Sequence, residues 1–268
     1  MTLPGRLVLL GHPVRHSLSP RFQNAALHAA GISLRYEPLD VPPDELADTL
    51  SMIRRQRGAG NVTVPHKAAV AAACDRHTAV ATRTGAVNTF WCEGDHLVGD
   101  NTDVAGFRAL VLSVLGHEPH DSTIALIGAG GGAAAVCAVV EGWTNARVMV
   151  HARGGERAAA LAARFPRVVT VAPSATEALR HATIVVNATP IGLEGDAVPV
   201  PVRELPRDAA VMDLAYRAGE TPWIQAARHA GHRAADGLEM LIAQGAEAFE
   251  RWFGVAPDKS VMRAALAA

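Results

Sequence analysis

The stretch TIALIGAGGGAAAV, residues Thr123–Val136, decides how this chain is read. Its first five residues, Thr123–Ile127, form an apolar run that predicts a strand. Gly128 closes the run, and Gly131–Glu141 has the composition of a helix. Between them stands the pattern Gly128-x-Gly130-x-x-Ala133. Gly128 allows a tight turn, Gly130 lets the backbone approach a pyrophosphate, and small Ala133 lets helix and strand pack closely. The helix start then offers unpaired N–H groups to phosphate oxygens. A second strand, Ala146–Val150, follows about 20 residues on, which is the context a dinucleotide-binding turn requires.

Outward from this stretch, strand-like and helix-like segments alternate. Further strands are expected at Arg6–Leu10, Leu34–Leu39, Asn61–Val64, Ala86–Trp91, Val168–Val171, Thr183–Asn187 and Ala210–Leu214. Helices are expected at Pro20–Ala30, Pro43–Arg57, Val104–Leu115, Gly155–Phe165, Ala175–His181, Pro222–Ala230 and Leu238–Trp252. Such alternation predicts an α/β protein with parallel sheets covered by helices. Gly192–Arg207, rich in Pro and Gly, reads as an exposed loop.

Length and composition set the outer bounds. The 268 residues suffice for one large or two ordinary domains of about 100–200 residues each. Apolar residues at 49% and charged residues at 19% supply a core and exclude a disordered chain. A net charge of −1 excludes a strongly basic nucleic-acid surface. Cys74, Cys92 and Cys137 are too few and scattered for a disulfide framework or a zinc site, which predicts a reducing compartment. The apolar start MTLPGRLVLL stops at Gly11, too soon for a signal peptide, and no run reaches the roughly 18–20 residues of a membrane span. The expectation is a soluble cytoplasmic protein.

The end of the second strand of a dinucleotide-binding fold separates NAD from NADP. A carboxylate there holds the ribose 2′-hydroxyl of NAD, whereas a cation accommodates the 2′-phosphate of NADP. Here VMVHA runs into Arg153-Gly-Gly-Glu-Arg157, with two arginines and no carboxylate at the strand tip. Cations at a helix N-terminus are mildly unfavourable, so an anionic partner accounts for them. This favours NADP.

Three polar clusters lie in the N-terminal third. The first is HSLSP, residues 16–20, between the first strand and a helix; either serine is a candidate N-cap. The second is GNVTVPHK, residues 60–67, at the end of a strand, where α/β sheets bind ligands. The third joins Asn88 of GAVNT to Gly99-Asp-Asn-Thr-Asp103. Asp103 is a candidate N-cap, and the string has no accompanying ligands at metal-binding spacing, so no metal is expected.

Together these clusters resemble the shikimate dehydrogenase family. The matching motifs, in family order, are HSLSP, GNVTVPHK, GAVNT, GDNTD, GAGGGA, NATPIG, DLAYRAGETP and GLEMLIAQGAEAFERW, spanning Gly11 to Trp252. The resemblance implies an N-terminal α/β substrate-binding domain and a Rossmann-type NADP-binding domain, with C-terminal helices packing back on the first. It places residues 1–104 and 237–268 in the former and 105–236 in the latter. The implied reaction is reversible NADPH-dependent reduction of 3-dehydroshikimate to shikimate in aromatic amino-acid biosynthesis, by a monomer or homodimer. A quinate/shikimate or aminoshikimate dehydrogenase using NAD is the alternative.

By motif, the resemblance makes Lys67 and Asp103 the catalytic pair. It assigns Ser17, Ser19 and Thr63 to the substrate carboxylate with Tyr216 assisting, and Asn61, Asn88 and Gln244 to the ring hydroxyls. On the cofactor side it implies Gly128, Ala129, Gly130, Gly131, Gly132 and Ala133 in the phosphate loop, and Arg153 and Arg157 at the 2′-phosphate. Asn187 and Thr189 border the cofactor groove, with Gly237 near the nicotinamide. Two positions depart from the pattern. Ala152 and Gly154 stand where the family usually has Asn and Thr beside the first arginine, and His66 stands where many members carry an aromatic residue.

The basic residues sharpen one position. Of 25, only Lys67 and Lys259 are lysines. Arginine, with a pKa above about 12, does not exchange a proton near neutral pH, whereas lysine in a suitable setting does.

Overall fold

The computed structural model describes residues 3–217 and 219–267; Ala218, inside DLAYRAGETP, lies outside the described residues. The chain forms two compact units, Met1–Gly106 with Leu241–Ala268, and Phe107–Met240. It passes from one to the other inside the helices Asp103–Leu115 and Leu238–Phe253.

The first unit holds six strands: β1 (Leu7–Gly11), β2 (Tyr36–Asp40), β3 (Ala59–Val62), β4 (Arg76–His77), β5 (Thr89–Glu93) and β6 (His96–Asp100). Their order across the sheet is β2-β1-β3-β5-β6-β4. β1 is buried along its whole length, as a continuous apolar run covered on both faces should be. Leu46, Leu50 and Ile53 form the buried stripe of helix Leu46–Arg55 and pack with Val8, Leu10 and Phe90 in the core.

The sheet is not all parallel, contrary to the sequence expectation. β5 runs antiparallel to both β3 and β6, while the remaining pairs are parallel. The cause is the turn Gly94-Asp95, which joins β5 to β6 with Gly94 at φ +60°. Such two-residue connections favour glycine because they need positive φ. The expected helix Pro43–Arg57 is also divided: a 3-10 turn, Pro43–Glu45, precedes the α-helix Leu46–Arg55.

The C-terminal segment belongs to this unit. Gly245 faces the Phe22 ring so closely that a Cβ would come within 2.4 Å of Phe22 Cε2. Gln23 Nε2 donates to Gly245 O at 2.9 Å, and Trp252 Nε1 donates to Thr89 Oγ1 at 3.1 Å. Helix Lys259–Ala267 packs on helix Ser19–Ala29.

The second unit holds β7 (Thr123–Ile127), β8 (Arg147–His151), β9 (Val169–Val171), β10 (Ile184–Asn187), β11 (Ala210–Asp213) and β12 (Ala234–Ala235). All are parallel, in the order β12-β11-β10-β7-β8-β9. This is the Rossmann order, in which the succession of strands reverses between β7 and β10 while all run parallel. Open sheets of this type bind ligands at the carboxyl ends of the strands beside that reversal. Among the described residues no helix is long and apolar enough to cross a membrane.

Candidate active site

The polar cluster of the first unit follows from its sheet topology. β1, β3 and β6 run in one direction, so the residues that follow them share one edge. The β1 exit carries Ser17 and Ser19, the β3 exit carries Thr63 and Lys67, and the β6 exit carries Asp103. The reversed β5 brings Asn88, just before its first residue, to the same edge.

At the centre, Lys67 Nζ donates to Asp103 Oδ2 at 2.5 Å. Lys67 opens helix Lys67–Ala73 and Asp103 opens helix Asp103–Leu115. The side chains are 19% and 7% exposed, so the ammonium can reach solvent or a ligand while the carboxylate is enclosed. Asn88 Nδ2 donates to Asp103 Oδ1 at 2.8 Å and to Gln244 Oε1 at 3.3 Å. Asn88 Oδ1 accepts from the Thr102 N–H at 2.7 Å. Asn61 Nδ2 donates to Asn88 O at 3.1 Å, and Asn61 Oδ1 accepts from the Tyr36 hydroxyl at 2.8 Å. Asp103 does not serve as a simple helix cap, since both its oxygens are held by Lys67 and Asn88.

Thr63 is fixed through its backbone, with its N–H donating to Leu10 O at 2.8 Å. Gly11 supports it from behind, where a Cβ would lie 2.4 Å from Thr63 Cγ2. Ser17 Oγ accepts from the Ser19 N–H at 3.2 Å. The helix cap is Leu18, with no side-chain cap bond, so neither serine is the N-cap that the sequence allows. Among the described residues, neither serine hydroxyl is hydrogen-bonded to the Lys67 cluster. His66 is buried, and its Nε2 donates to Val41 O at 2.7 Å. That ring therefore anchors the loop before Lys67.

The second unit brings its glycine-rich turn to the sheet reversal. Gly128 sits at φ +110°, and a Cβ there would meet Ala188 O at 2.8 Å. Only glycine accommodates both constraints. Ala129 is half-buried, and Gly130 is exposed with open space where a Cβ would stand, so its backbone is accessible. Helix Gly131–Val140 starts with no side-chain cap bond and no acidic residue in its first turn, which leaves its N–H groups for an anion. Gly131 and Gly132 are half-buried, with a Cβ on Gly132 reaching Leu214 Cδ1 at 3.2 Å, and Ala133 is fully buried.

Arg153 and Arg157 are exposed beside the β8 exit, and among the described residues neither side chain has an ion-pair or hydrogen-bond partner. The donor set therefore suits a nucleotide carrying a pyrophosphate and a further phosphate. Gly237 lies against the β11 exit, where a Cβ would come 2.4 Å from Leu214 O. Tyr216 is half-buried on that exit.

Asn187 and Thr189, at the β10 exit, are held by a residue the sequence reading passed over. Asp213, fully buried at the end of β11, accepts from Asn187 Nδ2 at 2.8 Å, the Ala215 N–H at 3.0 Å and the Thr221 hydroxyl at 2.9 Å. Asn187 Oδ1 in turn accepts from the Thr189 hydroxyl at 2.7 Å. The signal was present, as the first residue of DLAY, but an acidic strand end reads equally well as a surface position. Burial pushes the Asp213 carboxyl up to about 6, while the donors from Thr221, Ala215 and Asn187 offset part of that rise.

A glycine-rich turn with an uncapped helix start at a Rossmann reversal and a lysine–carboxylate pair in a polar cluster are the marks of a nucleotide-dependent α/β enzyme. Comparison with known proteins specifies which. Residues 9–90 match the family model for the shikimate dehydrogenase substrate binding domain, and residues 237–267 match that for the shikimate 5'-dehydrogenase C-terminal domain. A shikimate dehydrogenase (NADP(+)) of Symbiobacterium thermophilum is 41% identical, across 99% of this chain and 95% of that one. One from Rubrobacter xylanophilus is 42% identical, across 96% and 94%. Among solved structures, shikimate dehydrogenase from Aquifex aeolicus aligns with a TM-score of 0.90 at 32% identity, covering 98% of each chain. The Thermus thermophilus enzyme, in complex with NADP(H) and shikimate, aligns with a TM-score of 0.87 at 38% identity, also covering 98% of each. The chain belongs to the shikimate dehydrogenase family.

Asp213 sets a pH dependence with a definite sign. Between about pH 7.5 and about pH 5 the folded chain takes up a proton there, whereas the unfolded carboxyl does so only near pH 4. The folded state then binds more protons, so this group adds stability as the pH falls through about 6. Asp213→Asn removes that contribution. Between those two pH values, urea unfolding should show the stability difference moving by about 1 kcal/mol in favour of the wild type at the lower pH. A difference independent of pH would contradict the assignment.

Proposed function

We propose that Lys67 and Asp103 carry the acid–base step of an NADP-dependent shikimate dehydrogenase, which reduces 3-dehydroshikimate to shikimate and runs in reverse. The observation that carries this reading is the 2.5 Å Lys67–Asp103 contact at the strand edge, with Asn88 and Gln244 bonded around it. Bound NADPH supplies the hydride for the C3 carbon. Lys67 Nζ gives a proton to the C3 oxygen during reduction and takes it back during oxidation. Asp103 holds that ammonium in place and accepts from the substrate hydroxyls.

The other polar groups bind and orient. Ser17, Ser19 and Thr63 receive the substrate carboxylate, with Tyr216 assisting. Asn61, Asn88 and Gln244 bond the ring hydroxyls; all three are buried. In this reading the unit Met1–Gly106 with Leu241–Ala268 takes the substrate and Phe107–Met240 takes the cofactor. Gly128–Ala133 bind the pyrophosphate, with Asn187, Thr189 and Gly237 lining the groove toward the nicotinamide. Arg153 and Arg157 meet the 2′-phosphate. The three free cysteines suit a reducing cytoplasm, and we infer a monomer or homodimer acting there.

Two measurements test this. Lys67→Ala should lower kcat by at least about 10²-fold, the lower end of general acid–base contributions; turnover close to wild type would sink the assignment. Arg153→Ala should raise KM for NADP and leave KM for NAD nearly unchanged. Equal effects on both cofactors would mean that this guanidinium does not meet the 2′-phosphate.

A further inference from the structure

A second ion pair, unused by the chemistry above, anchors the loop that carries Asp103. Asp100 is the last residue of β6, and its side chain is 3% exposed. Its Oδ2 accepts from Arg251 Nε at 3.0 Å. Its Oδ1 accepts from the Asn101 N–H at 2.7 Å and from the Thr78 hydroxyl. Arg251 lies on helix Leu238–Phe253, further along the helix that bears Gln244, and its guanidinium also meets Glu247 Oε1 at 2.9 Å.

From Asp100 the contacts run inward without a break. Asn101 Oδ1 accepts from the Asp103 N–H at 3.1 Å. Asn101 Nδ2 donates to Thr84 Oγ1 at 3.1 Å and Ala86 O at 2.9 Å. Asp103 Oδ2 then meets Lys67 Nζ. Only Asn101 and Thr102 separate the anchored Asp100 from the helix start at Asp103. A buried carboxylate without a countercharge is costly, so the half-exposed Arg251 guanidinium helps hold Asp100 in place alongside Thr78 and the Asn101 N–H. With Asp100 held on one side and the Asn101 side chain bonded on the other, the Asp103 carboxylate has little freedom.

We propose that Asp100 and Arg251 are positioning residues: the pair sets the loop that aims the Asp103 carboxylate at Lys67, and ties that aim to the helix bearing Gln244. The proposal rests on the reading of Lys67 and Asp103 as the proton-handling pair. Neither Asp100 nor Arg251 touches the reacting atoms. Their effect therefore falls mainly on kcat, with a smaller effect on KM because Asp103 also meets the substrate hydroxyls, and the kcat effect requires Lys67 to be present.

A double-variant cycle tests it, with shikimate oxidation by NADP followed at saturation. Arg251→Met should lower kcat about tenfold or more, because small misalignments of an acid–base group are expensive. KM for shikimate should rise by less than kcat falls, since Asp103 also accepts from the substrate hydroxyls. In the Lys67→Ala background the same substitution should lower the residual kcat by less than about twofold, since residues acting as one unit are not additive. Arg251→Lys, which keeps the charge, should restore most of the lost kcat. Asp100→Asn runs the same cycle from the other partner and serves if Arg251→Met does not fold. Equal fold-losses with and without Lys67, a kcat near wild type in Arg251→Met, or no rescue by lysine would each overturn the proposal. Lys67→Ala alone separates the two claims: if it turns over normally, the acid–base reading fails whatever Arg251→Met does.

Discussion

Lys67 and Asp103 hold opposite charges 2.5 Å apart where little water reaches the carboxylate. Withdrawing two ions from water costs several kcal/mol each, and a pair in such a setting is stable only with further partners. Asn88 meets that need at the second Asp103 oxygen, and its own carbonyl is held by Thr102. Apolar replacements of such pairs are often as stable or more so, so stability alone does not explain this one. The proton transfer proposed for the pair accounts for it. The requirement extends to the topology: Asn88 arrives at the edge because β5 is reversed, while Lys67 and Asp103 arrive because β3 and β6 run the other way.

The second unit meets a different constraint, which in the proposed reading is the close approach of backbone to an anion. Space is removed at Gly128 and Gly237, where a Cβ would strike a neighbouring carbonyl, and left open at Gly130. Asp213 is the counterpart of Asn88, a buried acceptor at which Asn187, Ala215 and Thr221 converge. Both units thus hold the loops at their strand exits with buried, hydrogen-bonded polar groups inside an apolar frame. A half-satisfied group in either place would carry its full desolvation cost.

The glycine-rich turn was legible in the sequence because its constraints are local: three small residues between one strand and one helix report turn, approach and packing together. β6 was not, since His96, Gly99 and Asp100 have poor strand propensity. The turn pair Gly94-Asp95, between TFWCE and HLVGD, was the signal that would have found it. KAAVAAA, the sequence of helix Lys67–Ala73, is strongly helix-forming, but the polar motif GNVTVPHK that ends at Lys67 masks its start. The site residues were recognisable as motifs, but their contacts were not. Asn88 meets Gln244, and Asp100 meets Arg251, across most of the chain. No periodicity or propensity reports a pairing at that separation, nor the burial that lifts the Asp213 carboxyl to about 6.

Lysine scarcity leads to the most direct test. Arginine serves nearly everywhere a positive charge is needed, yet position 67 keeps an ammonium. A guanidinium there would still pair with Asp103 but would not release a proton near neutral pH. The measurement is kcat of Lys67→Arg together with its melting temperature. The account predicts a folded protein with melting close to wild type and kcat reduced by at least about 10²-fold. A Lys67→Arg enzyme turning over at nearly the wild-type rate would show that position 67 supplies charge alone, and would contradict the central claim.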